Sequence, residues 1–177
     1  KVYLMDADIS NSDATALFAL NDTDLQAYVS TLYATGVAGY VFDAGDSKLL
    51  FDRCTLTANG GNGLYAKQII ANSSTLSVTG CVGRAFSVGN GGLYLYNSEV
   101  TADAQEEAVF SLGEMLFAGT DLRADSAEGV KAVLLSAPAD SEAAITVTGH
   151  CLIKSGKEPV RIADANGVAS YFANEDV

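Results

Sequence analysis

Leu93-Tyr94-Leu95-Tyr96-Asn97-Ser98, followed by Glu99-Val100-Thr101-Ala102-Asp103, decides how this chain is read. The first half sets two apolar residues one apart and a small residue three further on. The second half alternates apolar and polar residues with period two, which buries one face of a short strand and leaves the other in water. The first pattern recurs at Val2/Leu4/Ala7, Leu49/Phe51/Cys54, Leu76/Val78/Cys81, Met115/Phe117/Thr120 and Ile145/Val147/His150. With Leu93/Leu95/Ser98, the starts of these units lie 47, 27, 17, 22 and 30 residues apart. The first gap has room for a degenerate unit near Leu25 to Val29. The chain therefore divides into about seven turns of about 24 residues, the mark of a solenoid.

The alternation recurs as well. Leu56 and Ala58 alternate with Thr55, Thr57 and Asn59, and Leu122 and Ala124 with Asp121, Arg123 and Asp125. A helical solenoid needs apolar residues at i, i+3 and i+4, a spacing that only Thr23 to Ala34 approaches. Downstream of each unit lies another short apolar run: Leu17 to Leu20, Tyr40 to Phe42, Leu64 to Ala66, Phe86 to Val88, Val109 to Leu112, Val133 to Leu135 and Val160 to Ile162. Clusters such as Asn59-Gly60-Gly61-Asn62-Gly63 and Gly89-Asn90-Gly91-Gly92 read as sharp corners between strands. Proline, confined to Pro138 and Pro159, is scarce, as strands that pair on both edges require.

This arrangement of short strands and variable corners resembles the right-handed parallel β-helix of the pectate-lyase-like superfamily. The resemblance spans the chain and rests on period and pattern. The leucine-rich repeat is disfavoured because its L-x-x-L-x-L-x-x-N ladder does not recur, and the hexapeptide helix is excluded by its period. The expected fold is an all-β, right-handed parallel β-helix of about seven turns forming one domain over residues 1–177, a rod of about 30 to 35 Å. A chain of this kind that opens on Lys1 reads as a fragment of a longer protein. Its tail from Val168 to Val177 reads as a cap or the start of a continuation.

Composition narrows the function. The chain has 177 residues, 49% of them hydrophobic and 18% charged, enough for a core. No apolar run reaches the ~18 residues of a membrane span. Twenty-two acidic against ten basic residues leave a net charge of −12, which repels phosphate backbones and argues against a nucleic-acid partner. Three cysteines, Cys54, Cys81 and Cys151, form no zinc spacing. Cys54 and Cys81 share a repeat position, so we expect them stacked about one strand spacing, ~4.8 Å, apart in a column of small residues with Ser98 and Thr120.

By the same register Glu99 and Asp103 stack on Asp121 and Asp125, all outward, with Arg123 beside them and Thr101 opposite it. Opposed carboxylates repel, so a cation, the arginine or solvent must compensate. The resemblance implies Ca²⁺ as a candidate ligand of such a patch, since the superfamily's enzymes line an exposed sheet with carboxylates and a basic residue. Carboxylates about 5 Å apart also suit acid and nucleophile roles in glycoside cleavage. Plain solvated surface is the competing reading. Tyr94 and Tyr96, with Tyr65, are expected outward, where rings serve as stacking platforms for sugars.

The motifs of other chemistries are missing. His150 is followed by Cys151 where polygalacturonase-like enzymes of the superfamily carry a second glycine, and Ala163 stands where a lysine would follow Arg161. There is no phosphate loop, no G-x-S-x-G elbow and no closed calcium loop after Asp6. The expectation is a secreted or cell-surface module, bacterial in character, with a structural, adhesive or glycan-contacting role toward polysaccharide or another surface protein. The alternative is a polysaccharide lyase or glycoside hydrolase acting through the acidic patch. No cofactor is required by either reading, with Ca²⁺ the only candidate.

Overall fold

The computed structural model describes residues 1–12, 16–128, 130–138, 140–149, 151–154, 160–163 and 169–172. Every regular element among them is a strand, and the strands stack into three ladders. Ladder one holds β1 (Val2–Met5), β4 (Leu25–Tyr28), β7 (Lys48–Asp52), the second halves of β9 (Asn62–Asn72) and β11 (Phe86–Tyr96), β14 (Met115–Ala118) and β17 (Ile145–Thr148). Ladder two holds β2 (Asp8–Ser12), β5 (Thr31–Thr35), β8 (Thr55–Asn59), β10 (Thr75–Cys81), β12 (Glu99–Ala104), β15 (Asp121–Asp125) and β18 (Leu152–Lys154). Ladder three holds β3 (Phe18–Ala19), β6 (Tyr40–Asp43), the first halves of β9 and β11, β13 (Val109–Ser111), β16 (Val133–Leu135) and β19 (Val160–Ala163). All these pairs are parallel. Only β20 (Ala169–Phe172) runs antiparallel, against β19, within the tail read as a cap.

The chain is thus a parallel β-solenoid. Seven strands in ladder two enclose six steps, about six turns, against the seven units counted in the sequence. Inward side chains form continuous columns. Leu32, Leu56, Leu76, Val100 and Leu122 share one, and Leu25, Leu49, Ile69, Leu93 and Met115 another, each at most 1% exposed. Phe42 meets Phe51 edge-on at 5.6 Å, tying ladder three to ladder one across the interior. Burial of these columns drives folding, because each turn covers its neighbour's apolar face.

Three expectations need correction. Thr23 to Ala34 is not helical but supplies β4 and β5, since its Leu25/Ala27 and Leu32/Ala34 pairs each follow period two. Leu76/Val78/Cys81 belongs to ladder two, and Ile69/Ala71/Ser74 takes its place in ladder one. Both ladders bury alternate residues, so an apolar pair alone cannot tell them apart. As a result Cys54 does not stack on Cys81, which pairs with Ala104 instead, and all three cysteines are free and buried. Gly89 to Gly92 form the corner they were read as: the pairing of β11 with β9 shifts register between Val88 and Gly92, where the chain passes from ladder three to ladder one.

The corner between ladders one and two carries the register signal. In every turn one residue there has positive φ: Asp6, Val29, Arg53, Ser73, Asn97, Gly119 and Gly149, between 46° and 74°. In four of these turns the next residue, Ser30, Ser74, Ser98 or Thr120, turns a hydroxyl inward. Ser30, Ser74 and Ser98 each donate to the carbonyl two residues back, at 2.8 to 2.9 Å. They also accept the amide N–H of Ala7, Cys54 and Ser74 from the preceding turn, at 3.0 to 3.2 Å. At the far end the Cys151 thiol accepts from the Thr120 N–H at 3.3 Å. The buried polar groups are thereby satisfied, and each turn is pinned to the next. No helix among the described residues is long and apolar enough to cross a membrane.

Candidate functional site

The acidic patch lies where the register placed it. Glu99 pairs with Asp121, Thr101 with Arg123 and Asp103 with Asp125 on adjacent strands β12 and β15. A notch of about 240 Å³ opens there, lined by Glu99, Thr101, Asp121 and Arg123 over Val100 and Leu122. Two of the four carboxylates are held by the fold. Asp103 accepts the Gly80 N–H at 3.3 Å, and Asp125 is paired with Arg123, whose Nε lies 2.9 Å from its Oδ2. Asp125, expected outward and open, is only 5% exposed, because the strict alternation of β15 ends at Ala124. Glu99 and Asp121 are left facing solvent. Among the described residues no three His, Cys, Asp or Glu side chains converge as a metal site would require.

Tyr94 and Tyr96 face outward on ladder one, half-buried by their neighbours Ile70, Leu116, Asn72 and Ala118. The Tyr94 hydroxyl donates to the Glu114 carboxylate. That bond, with some desolvation, pushes the phenol up to about 12. Tyr94 is thereby tied to Glu114 of the next turn. His150 lies outside the described residues, and Arg161 sits on β19.

A second concavity was not legible as a site in the sequence. On the outer face of ladder three, Tyr65, Ser87 and Phe110 occupy successive positions of one column. Two strand steps separate the rings, about 10 Å, with the small Ser87 between them. Tyr65, 37% exposed, leans on Tyr40 with ring centroids 5.3 Å apart. The Arg84 guanidinium covers Phe110 at 3.8 Å from its centroid and is itself held by Glu107 at 2.8 Å. Beside the rings runs a groove of about 280 Å³, edged by Lys67, Asp46, Asn90 and Leu112. Glycine stands at two places in its lining, Gly45 and Gly89, because neighbouring turns approach closely there. A Cβ on Gly89 would come within 3.1 Å of the Lys67 backbone, and one on Gly45, whose φ is +54°, within 2.2 Å of Asp22. Its sequence signal was the outward register of the ladder-three runs, which pairs Tyr65 with Phe110 only once Ser87 is set between them.

Two of the buried cysteines are held as thiols. Burial, and then the Asp103 charge, push the Cys81 thiol up to about 12, and burial raises Cys54 too. Neither forms thiolate near neutrality. The surface presents two rings, a lysine, an aspartate and the Asn90 amide around one groove, and a carboxylate–guanidinium notch on another face. Compared with family models, with curated proteins and with solved structures, the chain matches none.

Proposed function

We propose that this chain is a secreted or cell-surface β-solenoid module that contacts glycans, using the ladder-three groove as its principal contact. The observation that carries the reading is the spaced pair Tyr65 and Phe110 beside one groove. Rings set about 10 Å apart on a rigid sheet accept the C–H faces of sugar rings, and the polar edge of Lys67, Asp46 and Asn90 orients their hydroxyls. Kinship with pectate-lyase-like right-handed β-helices is part of the proposal and rests on the same repeat pattern. Binding to a glycan panel tests it. Tyr65→Ala and Phe110→Ala each weaken binding about tenfold while the unfolding midpoint stays within a few degrees. Binding unaffected by both substitutions contradicts the reading.

The enzymatic alternative has one observation in its favour, the opposed pair Glu99 and Asp121 with Arg123 alongside. With Asp103 and Asp125 engaged in structural bonds, a lyase or hydrolase would have to work through those two carboxylates. Release of reducing or unsaturated ends from polysaccharides, abolished by Glu99→Gln or Asp121→Asn, would establish it.

A further inference from the structure

The outer face of ladder two differs from the rest of this acidic surface. On three consecutive strands, β5, β8 and β10, Thr31, Thr55 and Thr75 form one column and Tyr33, Thr57 and Ser77 the next. None of the six is charged, in a chain with a net charge of −12. Among the described residues none of their hydroxyls makes an intramolecular hydrogen bond, although hydroxyls along the adjacent corner are fully engaged. The side chains behind them, Leu32, Leu56 and Leu76, are buried to within 1%, so the sheet beneath is held rigid. Threonine adds stiffness of its own through its restricted χ1.

We propose that this face is a track for a neutral, extended polysaccharide chain lying along the solenoid axis. Hydroxyls repeat along the track at one strand spacing, ~4.8 Å, and across it at two residues, about 7 Å. A pyranose in an extended β-1,4-linked chain advances by nearly one strand spacing, so each turn meets one sugar. Every threonine or serine hydroxyl both donates and accepts, which matches a ligand whose hydroxyls do the same. The threonine methyl groups present apolar contacts to the sugar C–H faces. Charge decides between neutral and anionic chains: the first column is bounded by Asp8 at one end and by Glu99 and Asp121 at the other, and these repel an acidic polymer.

Both ends of the track are furnished. Tyr33, 45% exposed, offers a ring at the start. At the other end the second column continues through Thr101 to Arg123 into the 240 Å³ notch, where carboxylates accept and the guanidinium donates charge-assisted hydrogen bonds to a terminal sugar. A preordered face loses little conformational entropy on binding, which lets weak, repeated contacts add up with chain length. The track shares a ligand class with the ladder-three groove but rests on a different face and on none of its residues.

Amide and methyl NMR of the whole chain tests this, with cello-, chito-, manno- and xylohexaose as probes and the matching disaccharides as controls. At least one hexasaccharide is expected to shift the signals of Thr55, Thr57, Thr75 and Ser77 and to bind at least tenfold more tightly than its disaccharide. Read from the shifts of Thr55 and Thr75, Thr57→Glu/Ser77→Glu is expected to weaken that binding at least tenfold and the milder Thr57→Ala/Ser77→Ala about threefold. Shifts confined to the Tyr65 groove, equal affinity for di- and hexasaccharide, or binding indifferent to both track variants would overturn the track and leave the groove standing. No shift on this face with any of the four probes would overturn it too.

Discussion

At the corner between ladders one and two, each turn presents a residue of positive φ and, from Ser30 to Cys151, a buried hydroxyl or thiol. At the corner between ladders three and one, successive turns present Gly45 with Asp46, Lys67, Gly89 with Asn90, and Leu112 with Gly113, with no common pattern. The first corner is internal: its polar groups are bonded turn to turn, so a change there disturbs the register of all three ladders. The second is external, and its variation costs the fold little while shaping the groove. A solenoid of this kind keeps one corner for alignment and spends the other on its surface.

Substitutions can be ranked by which of these two regions they touch. The largest effect is expected inside, where Phe51 is fully buried against Phe42: Phe51→Ala should cost about 3–5 kcal/mol, read from the urea midpoint at unchanged slope. Next comes the aligned corner. Ser74→Ala leaves the buried Cys54 N–H without its partner and should cost about 1–3 kcal/mol, whereas Asn90→Ala at the open corner should fall within about 0.5 kcal/mol of the parent. Equal effects at these two positions would erase the distinction between the corners.

A smaller effect of opposite sign is expected at Val29. It is a β-branched residue at φ 51° and 49% exposed, so its backbone is strained and its side chain buries little. Val29→Asn should stabilise the chain by about 1 kcal/mol, seen as a higher melting temperature. The smallest effect is a titration. Because Glu114 raises the Tyr94 phenol to about 12 against an ordinary value near 10, the folded state holds this proton more tightly than the unfolded one. Its contribution is complete below about pH 10 and is lost as pH rises toward 12. Ultraviolet titration should show a late phenol step that is lost in Tyr94→Phe.

Much of this was readable from the residues. Period-two alternation at Glu99 to Asp103 and Asp121 to Asp125 placed the acidic patch in its observed register, and every ladder-three run was found. The failures share a cause. Leu76/Val78/Cys81 copies the spacing of a ladder-one unit, and what separates the two is a left-handed backbone at Ser73 followed by an inward hydroxyl at Ser74, which residue hydrophobicity does not record. The burial of Asp125 depends on where β15 stops, and the groove depends on residues that only the stacking of turns brings together. Phe110 became visible as a site residue only through its stacking on Ser87 and Tyr65.

The central claim is that successive turns lie in register, residue on residue, and cross-linking tests it on the exposed face of ladder two. Opposed residues of neighbouring parallel strands sit about 5 Å apart, within disulfide reach, and diagonal ones about 8 Å apart, beyond it. Thr75→Cys/Glu99→Cys should therefore form an intramolecular bond on mild oxidation, seen as a 2 Da loss by mass (about, by the two hydrogens removed), while Thr75→Cys/Thr101→Cys should remain reduced. The reverse outcome, or no bond in either variant, would contradict the stacking from which every surface described above is built.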